Sequence, residues 1–325
     1  MSFLQTTRSA SRGGGAPGAA SPTSGPGVPP DGNSYYGHSI IKEPTWTWEI
    51  PVYFVTGGVS GISSGLSFAA RLSGNETLAR RAQLAAFATI AISPPLLISD
   101  LGRPERFYNM FRVLKLSSPM SVGSWVLAAT GGATTLATLG TFTGRLPRLS
   151  LVGSAAAAVL GLPLSTYTAV LIANTSVPVW HEARHQLPFV FGASSSAGAG
   201  ALSTLLAPHA VSGPARRLAI IGTALEVVST VAMERHLGEL AEPLRKGNAG
   251  RVFWAAKLLA GAGVVTIATV GRRSPAAARL GAVLVLGSSM ATRWSVFRAG
   301  FESARDPKYT VEPQRRRREA SAASK

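Results

Sequence analysis

The sequence predicts an all-α, polytopic membrane protein, with eight transmembrane helices in one bundle and both termini on the same side. Three observations predict it. Eight apolar stretches, each long enough to cross a bilayer, fill most of residues 48–299 and alternate with short connections rich in Arg, Gly and Pro. Only 14% of the 325 residues are charged, where a soluble domain averages about 25%. The net charge of +17 sits in the connections and the carboxyl tail, where positive-inside sorting and anionic lipid account for it without a nucleic-acid partner. Mean hydropathy is +0.22, in keeping with this reading.

Residues 1–43 carry GGGAPGAASPTSGPGVPPDGN and almost no apolar periodicity, which predicts a disordered tail. No apolar run follows Arg8 and Arg12, so the first span is expected to act as the insertion signal. The membrane domain covers 44–305, and a basic tail occupies 306–325.

The first span, about 48–71, opens on WTWEIPVYFVTGG: Trp46 and Trp48 suit interfacial depth, and Glu49 enters just inside. A carboxylate there either needs a partner or serves as a favourable anion in the first helical turn. The second span, about 80–100, closes on Asp100, after which Gly102 and Pro104 turn the chain. Arg103 and Arg106 can pair with Asp100 and Glu105, either as a structural cap or at the mouth of a cavity. Pro119 resets the backbone before the third span, about 121–143. The fourth, about 149–173, carries Tyr167. It leads into a loop with Trp180, His181, Glu182 and His185. His181 and His185 are four apart, a helical chelation spacing, but no third ligand is evident and no metal is assigned. The fifth span, about 187–207, is rich in small residues. The sixth (214–236), seventh (251–270) and eighth (276–299) bring Glu226, Lys257 and Arg293 into the membrane. Cost alone requires these to face inward and pair, as a proton path or as structural ion pairs; Glu226, near mid-membrane, would take one of the cations. Runs such as GGVSGISSG, SAAAAVLG and GASSSAGAGA let helix backbones approach closely.

Eight spans put both termini on one face, and the Lys and Arg count puts that face in the cytoplasm, chiefly through Arg315, Arg316, Arg317 and Arg318. Connections on this face (101–120, 174–186 and 237–250) are long, those opposite short, so the working residues are expected here. The chain has no cysteine, which excludes thiolate-held iron–sulfur clusters, disulfides and thiol catalysis in this subunit. None of its five histidines is central in a span, which argues against a buried haem.

WTWEIPVYFVTGGVSG, DLGRPERFYNMFRVLKLSSPMSVGSW, VPVWHEARHQLPFVFGASSSAGAGA and SSMATRWSVFRAGFESARDPKYTVEPQ, in this order along the chain, resemble the NrfD family of polysulfide-reductase-type and nitrite-reductase-type membrane subunits. The resemblance spans about residues 35–314. It implies an eight-helix quinol-binding anchor in the plasma membrane, not catalytic on its own. It would dock an iron–sulfur, ferredoxin-like subunit and, through it, a molybdopterin-type catalytic subunit. It also implies a quinone pocket, for menaquinone, among the first helices at Glu49, Asp100, Arg103 and Tyr167, with His181 and Glu182 nearby. A secondary transporter or proton channel is the alternative, and would predict an inverted internal repeat that is not evident. A purely structural anchor is a third reading.

Overall fold

The computed structural model describes residues 40–144 and 147–323. The amino tail expected over 1–43 therefore lies outside the described residues as far as residue 39. Eleven α-helices and no strands occur among the described residues. Eight are long: α1 (Glu49–Leu72), α2 (Glu76–Ser99), α3 (Pro119–Thr143), α4 (Pro147–Ala173), α6 (Leu187–Leu206), α7 (Gly213–Leu237), α9 (Gly247–Ala268) and α10 (Pro275–Arg305). Short α5 (Pro178–Glu182) and α8 (Glu242–Arg245) interrupt the connections, and α11 (Lys308–Ala323) carries the basic tail. Each long helix falls on one expected span. By length and apolarity together, five of them (α2, α4, α6, α9 and α10) can cross a membrane; α1, α3 and α7 match them in length alone.

Local chemistry sets the helix starts. The Asn75 side chain accepts from the Leu78 amide (3.1 Å), which begins α2 four residues ahead of the expected span. Ser118 and Ser274 cap α3 and α10 in the same way, each followed by a proline at the first helical position. Gly144 ends α3 at φ 67°, a left-handed cap open to glycine without strain.

The helices pack as neighbours in sequence, α1 on α2, α3 on α4, α6 on α7 and α9 on α10; α1–α4 and α6–α10 crossings join the pairs within each half, and α1–α6, α4–α6 and α1–α10 contacts join the two halves. Polarity is inverted relative to a water-soluble bundle. Buried positions include Ser60, Ser64, Ser67, Thr130, Thr134, Ser194 and Ser289, while Leu139, Val159, Phe189, Val228, Leu258 and Leu280 point outward. Most buried polar side chains bond within or between helices, as when Ser60 donates to the Ala86 carbonyl (2.9 Å) and Gln83 donates to Thr134 and Thr138, while the Ser63, Ser203 and Thr230 hydroxyls have no partner among the described residues. Small residues permit the closest contacts. A Cβ on Gly61 would lie 2.2 Å from the Gly161 carbonyl oxygen, so α1 and α4 meet backbone to backbone.

Candidate functional site

The end of α2 and the start of α1 form one polar locus. Asp100 Oδ1 accepts two hydrogen bonds from Thr47, from its amide (2.9 Å) and its hydroxyl (2.9 Å). The same hydroxyl contacts Glu49 Oε2, so one threonine joins both carboxylates. This differs from the expected pairing of Asp100 with arginine: Arg103 is exposed and makes no ion pair among the described residues. Local backbone geometry explains the difference. The chain turns into a 3₁₀ helix at Pro104–Phe111 soon after α2, whereas the segment before α1 brings the Thr47 amide and hydroxyl onto Asp100.

Tyr53 follows Glu49 by four residues and so shares its face of α1. Tyr53 is fully buried, and its hydroxyl contacts that of Tyr167 on α4, with ring centroids 6.4 Å apart. One phenolic O–H is used within the pair, which leaves the second free to donate elsewhere. The Tyr167 ring is held from α3 by the absence of a side chain: a Cβ on Gly123 would lie 2.0 Å from its Cε2. Asp100, Glu49 and Tyr167 are thus brought onto one string by Thr47 and Tyr53.

His181 and Glu182 lie apart from that string. They line a cavity of about 580 Å³ with Ile41, Asn174, Leu240, Tyr309 and others, none of which is Glu49, Asp100, Arg103 or Tyr167. Glu182 faces His236 at 3.8 Å. α5 ends at Glu182, so His181 and His185 do not share a helix, and no cluster of three metal-ligating side chains occurs among the described residues. Trp180 beside them is fully buried, donates to the Val296 carbonyl (2.8 Å) and stacks on Trp46 and Phe297. Gly300 makes room for its indole on α10, which runs six residues beyond the expected span, to Arg305. On this face Lys246 and Lys308 bond Glu242 and hold its carboxyl down at about 2. Burial, and then the charges of Glu242 and Asp306, pushes the Tyr309 phenol up. The Arg305 hydrogen bond lowers Glu43.

The third set of expected residues divides. Arg293 is fully buried on α10 and donates to the Phe191 carbonyl (2.7 Å), Ser195 (2.7 Å) and Ser289 (3.0 Å). Lys257 pairs with Glu234 (2.6 Å) rather than Glu226, and Arg245 takes the other Glu234 oxygen (3.1 Å). Glu226, 4% exposed, hydrogen-bonds neither cation. Carbonyl and hydroxyl acceptors on the neighbouring helix meet the guanidinium's fork at closer range, which is how α6 and α10 use the charge.

Thr47, Tyr53, Glu234 and Tyr309 went unforeseen. The helical spacing of Glu49 to Tyr53, and of Glu226 to Glu234, was the available signal for two of them; Thr47 and Tyr309 depend on contacts distant in sequence. Against this geometry, the family model described as polysulfide reductase, NrfD_2, matches residues 33–305. No curated protein matches the chain. The chain belongs to the NrfD polysulfide reductase family.

Proposed function

We propose that this NrfD-family membrane protein is the quinone-reacting anchor subunit of a multi-subunit oxidoreductase, and that its headgroup site is the string from Asp100 to Tyr167. Family membership supports the membrane-anchor role. The single observation that carries the site is the joining of two carboxylates by Thr47 one helical turn from two touching tyrosine hydroxyls. A quinone ring needs hydrogen-bond donors at its oxygens when oxidised and proton acceptors when reduced, and these residue types fit both requirements.

In quinol oxidation, Tyr167 orients a ring oxygen through its hydroxyl, with Tyr53 fixing that hydroxyl's direction. Asp100 and Glu49 accept the two protons released, and the two electrons pass to an iron–sulfur partner that feeds a molybdopterin-type catalytic subunit. Run in reverse, the same carboxylates supply the protons. Arg103, three residues past Asp100 and exposed, keeps positive charge near the acids. His181 and Glu182, in their separate cavity, serve the aqueous side rather than the ring. All eight long helices cross the plasma membrane in this reading, with both termini cytoplasmic and menaquinone the carrier.

The test is binding of a menaquinone analogue to the purified complex, combined with quinol-linked turnover of Asp100→Asn and Tyr167→Phe. Bound analogue displaced by quinol, with both variants impaired but inserted, supports the site. Full turnover in both variants removes it. Ion uptake by the subunit alone in liposomes would favour the transporter alternative instead.

A further inference from the structure

Glu226 stands near the middle of α7, about 20 Å from its start. Neither of its carboxylate oxygens closes a hydrogen bond among the described residues, although the Thr292 and Ser194 hydroxyls stand close to it, and the Thr230 hydroxyl one turn further on closes none either. An ionised carboxylate left dry at such a place costs several kcal/mol, so an unpaired one calls for water. Space for water is present. A cavity of about 30 Å³, partly open at its rim, is lined by Glu226 and Thr230 of α7, Phe253, Ala256 and Lys257 of α9, and Ser288 and Thr292 of α10. A buried water needs roughly 10–15 Å³ and two to four polar partners, and five polar side chains line this wall.

The cavity also has an outlet for protons. Lys257 Nζ, in its wall, bonds Glu234 Oε1 (2.6 Å), and Glu234 Oε2 accepts from Arg245 on α8 (3.1 Å), whose side chain is half exposed. The two acids are eight residues apart on α7, about 12 Å along the helix, and Lys257 lies between them. On the other side of Glu226 stand Ser194 of α6 and the Arg293 guanidinium, whose hydrogen bonds are directed to Phe191, Ser195 and Ser289. Its Nε is buried and has no hydrogen-bond partner among the described residues.

We propose that Glu226 is a proton-exchange site, hydrated within this cavity and connected to the aqueous surface through Lys257, Glu234 and Arg245. It stands independently of the acid–tyrosine string and of any reading of it. In the inward step a cavity water gives a proton to a Glu226 oxygen and takes one from the Lys257 ammonium. A proton entering from solvent beside Arg245 is then accepted by the Glu234 carboxylate and passed on to the neutral Lys257 amine, which leaves Glu234 ionised and Lys257 an ammonium again. One N–H or O–H bond breaks for each that forms, and nothing is oxidised or reduced.

Infrared difference spectroscopy on the membrane-reconstituted complex tests it. Comparison of the native protein with Glu226→Gln should isolate a carboxyl C=O stretch that shifts on transfer to D2O. In Ala256→Val, which fills the cavity while keeping every charge, and in Lys257→Met, the exchange of that band should slow at least tenfold. No exchangeable carboxyl band lost in Glu226→Gln, or native exchange rates in both other variants, overturns the proposal. Should Lys257→Met fail to assemble, Ala256→Val decides alone.

Discussion

The α1–α4 half and the α6–α10 half of the bundle treat polar groups in opposite ways. In the first, Asp100 and Glu49 sit at helix ends, share a single threonine and remain partly exposed. In the second, the Arg293 guanidinium sits in mid-helix, sealed from solvent, and α6 and α10 supply its acceptors. A group at a helix end can be hydrated or protonated at small cost, and so is available for chemistry. A charge in mid-bundle must be balanced by its own neighbours, and becomes part of what holds the helices together. Substitutions in the first half should therefore act on turnover, and those around Arg293 on stability.

The largest effect tests the second half. Arg293→Met leaves the Phe191 carbonyl and the Ser195 and Ser289 hydroxyls without their donor, and should cost the bundle about 3–5 kcal/mol, read as thermal unfolding of the detergent-solubilised complex. An unchanged melting temperature would erase the contrast. Next, Tyr167→Phe and Asp100→Asn should lower quinol-linked turnover about 100-fold, the scale of a lost proton-transfer group, while stability changes by no more than about 1 kcal/mol. A large stability loss with normal specific activity would make the string structural too. Gly123→Ala is a finer probe. Its methyl would overlap the Tyr167 ring, so the ring must move, and about a tenfold loss of turnover is expected with insertion intact.

The smallest effect concerns the surface. Glu242, held at about 2 by Lys246 and Lys308, ties α11 to α8. Its carboxyl is depressed in the folded state, so the tie is fully present above the ordinary value of 4.5 and is lost as pH falls toward 2. Amide hydrogen exchange of α11 should accelerate over that window, after correction for the intrinsic rate, whereas α6 and α10 stay protected. Equal acceleration in all three would show that the surface pair is coupled to the buried cluster.

Legibility in sequence followed the range of the interaction. The apolar runs set eight long helices within a few residues, and asparagine, serine and proline caps account for most of the remaining edges. The acids Asp100, Glu49 and Glu226 stood out because an ionisable group in an apolar run is costly wherever it points. Their partners did not stand out. Asp100 met Thr47, 53 residues away, rather than nearby Arg103; Lys257 met Glu234; and Tyr167 met Tyr53, 114 residues away. His181 and Tyr167 look adjacent along the chain, but the α4–α5 turn separates them onto different surfaces.

By itself the sequence determined an all-helical membrane protein, and which side chains would be expensive to bury, because both follow from hydrophobicity summed over contiguous residues; its motifs carried the likeness to the NrfD family. Only the tertiary structure decided which of those side chains meet. That choice is made where Gly61 and Gly161 let helices close to backbone distance and Gly123 admits the Tyr167 ring, and a contact between helices depends on crossing geometry that no local window encodes.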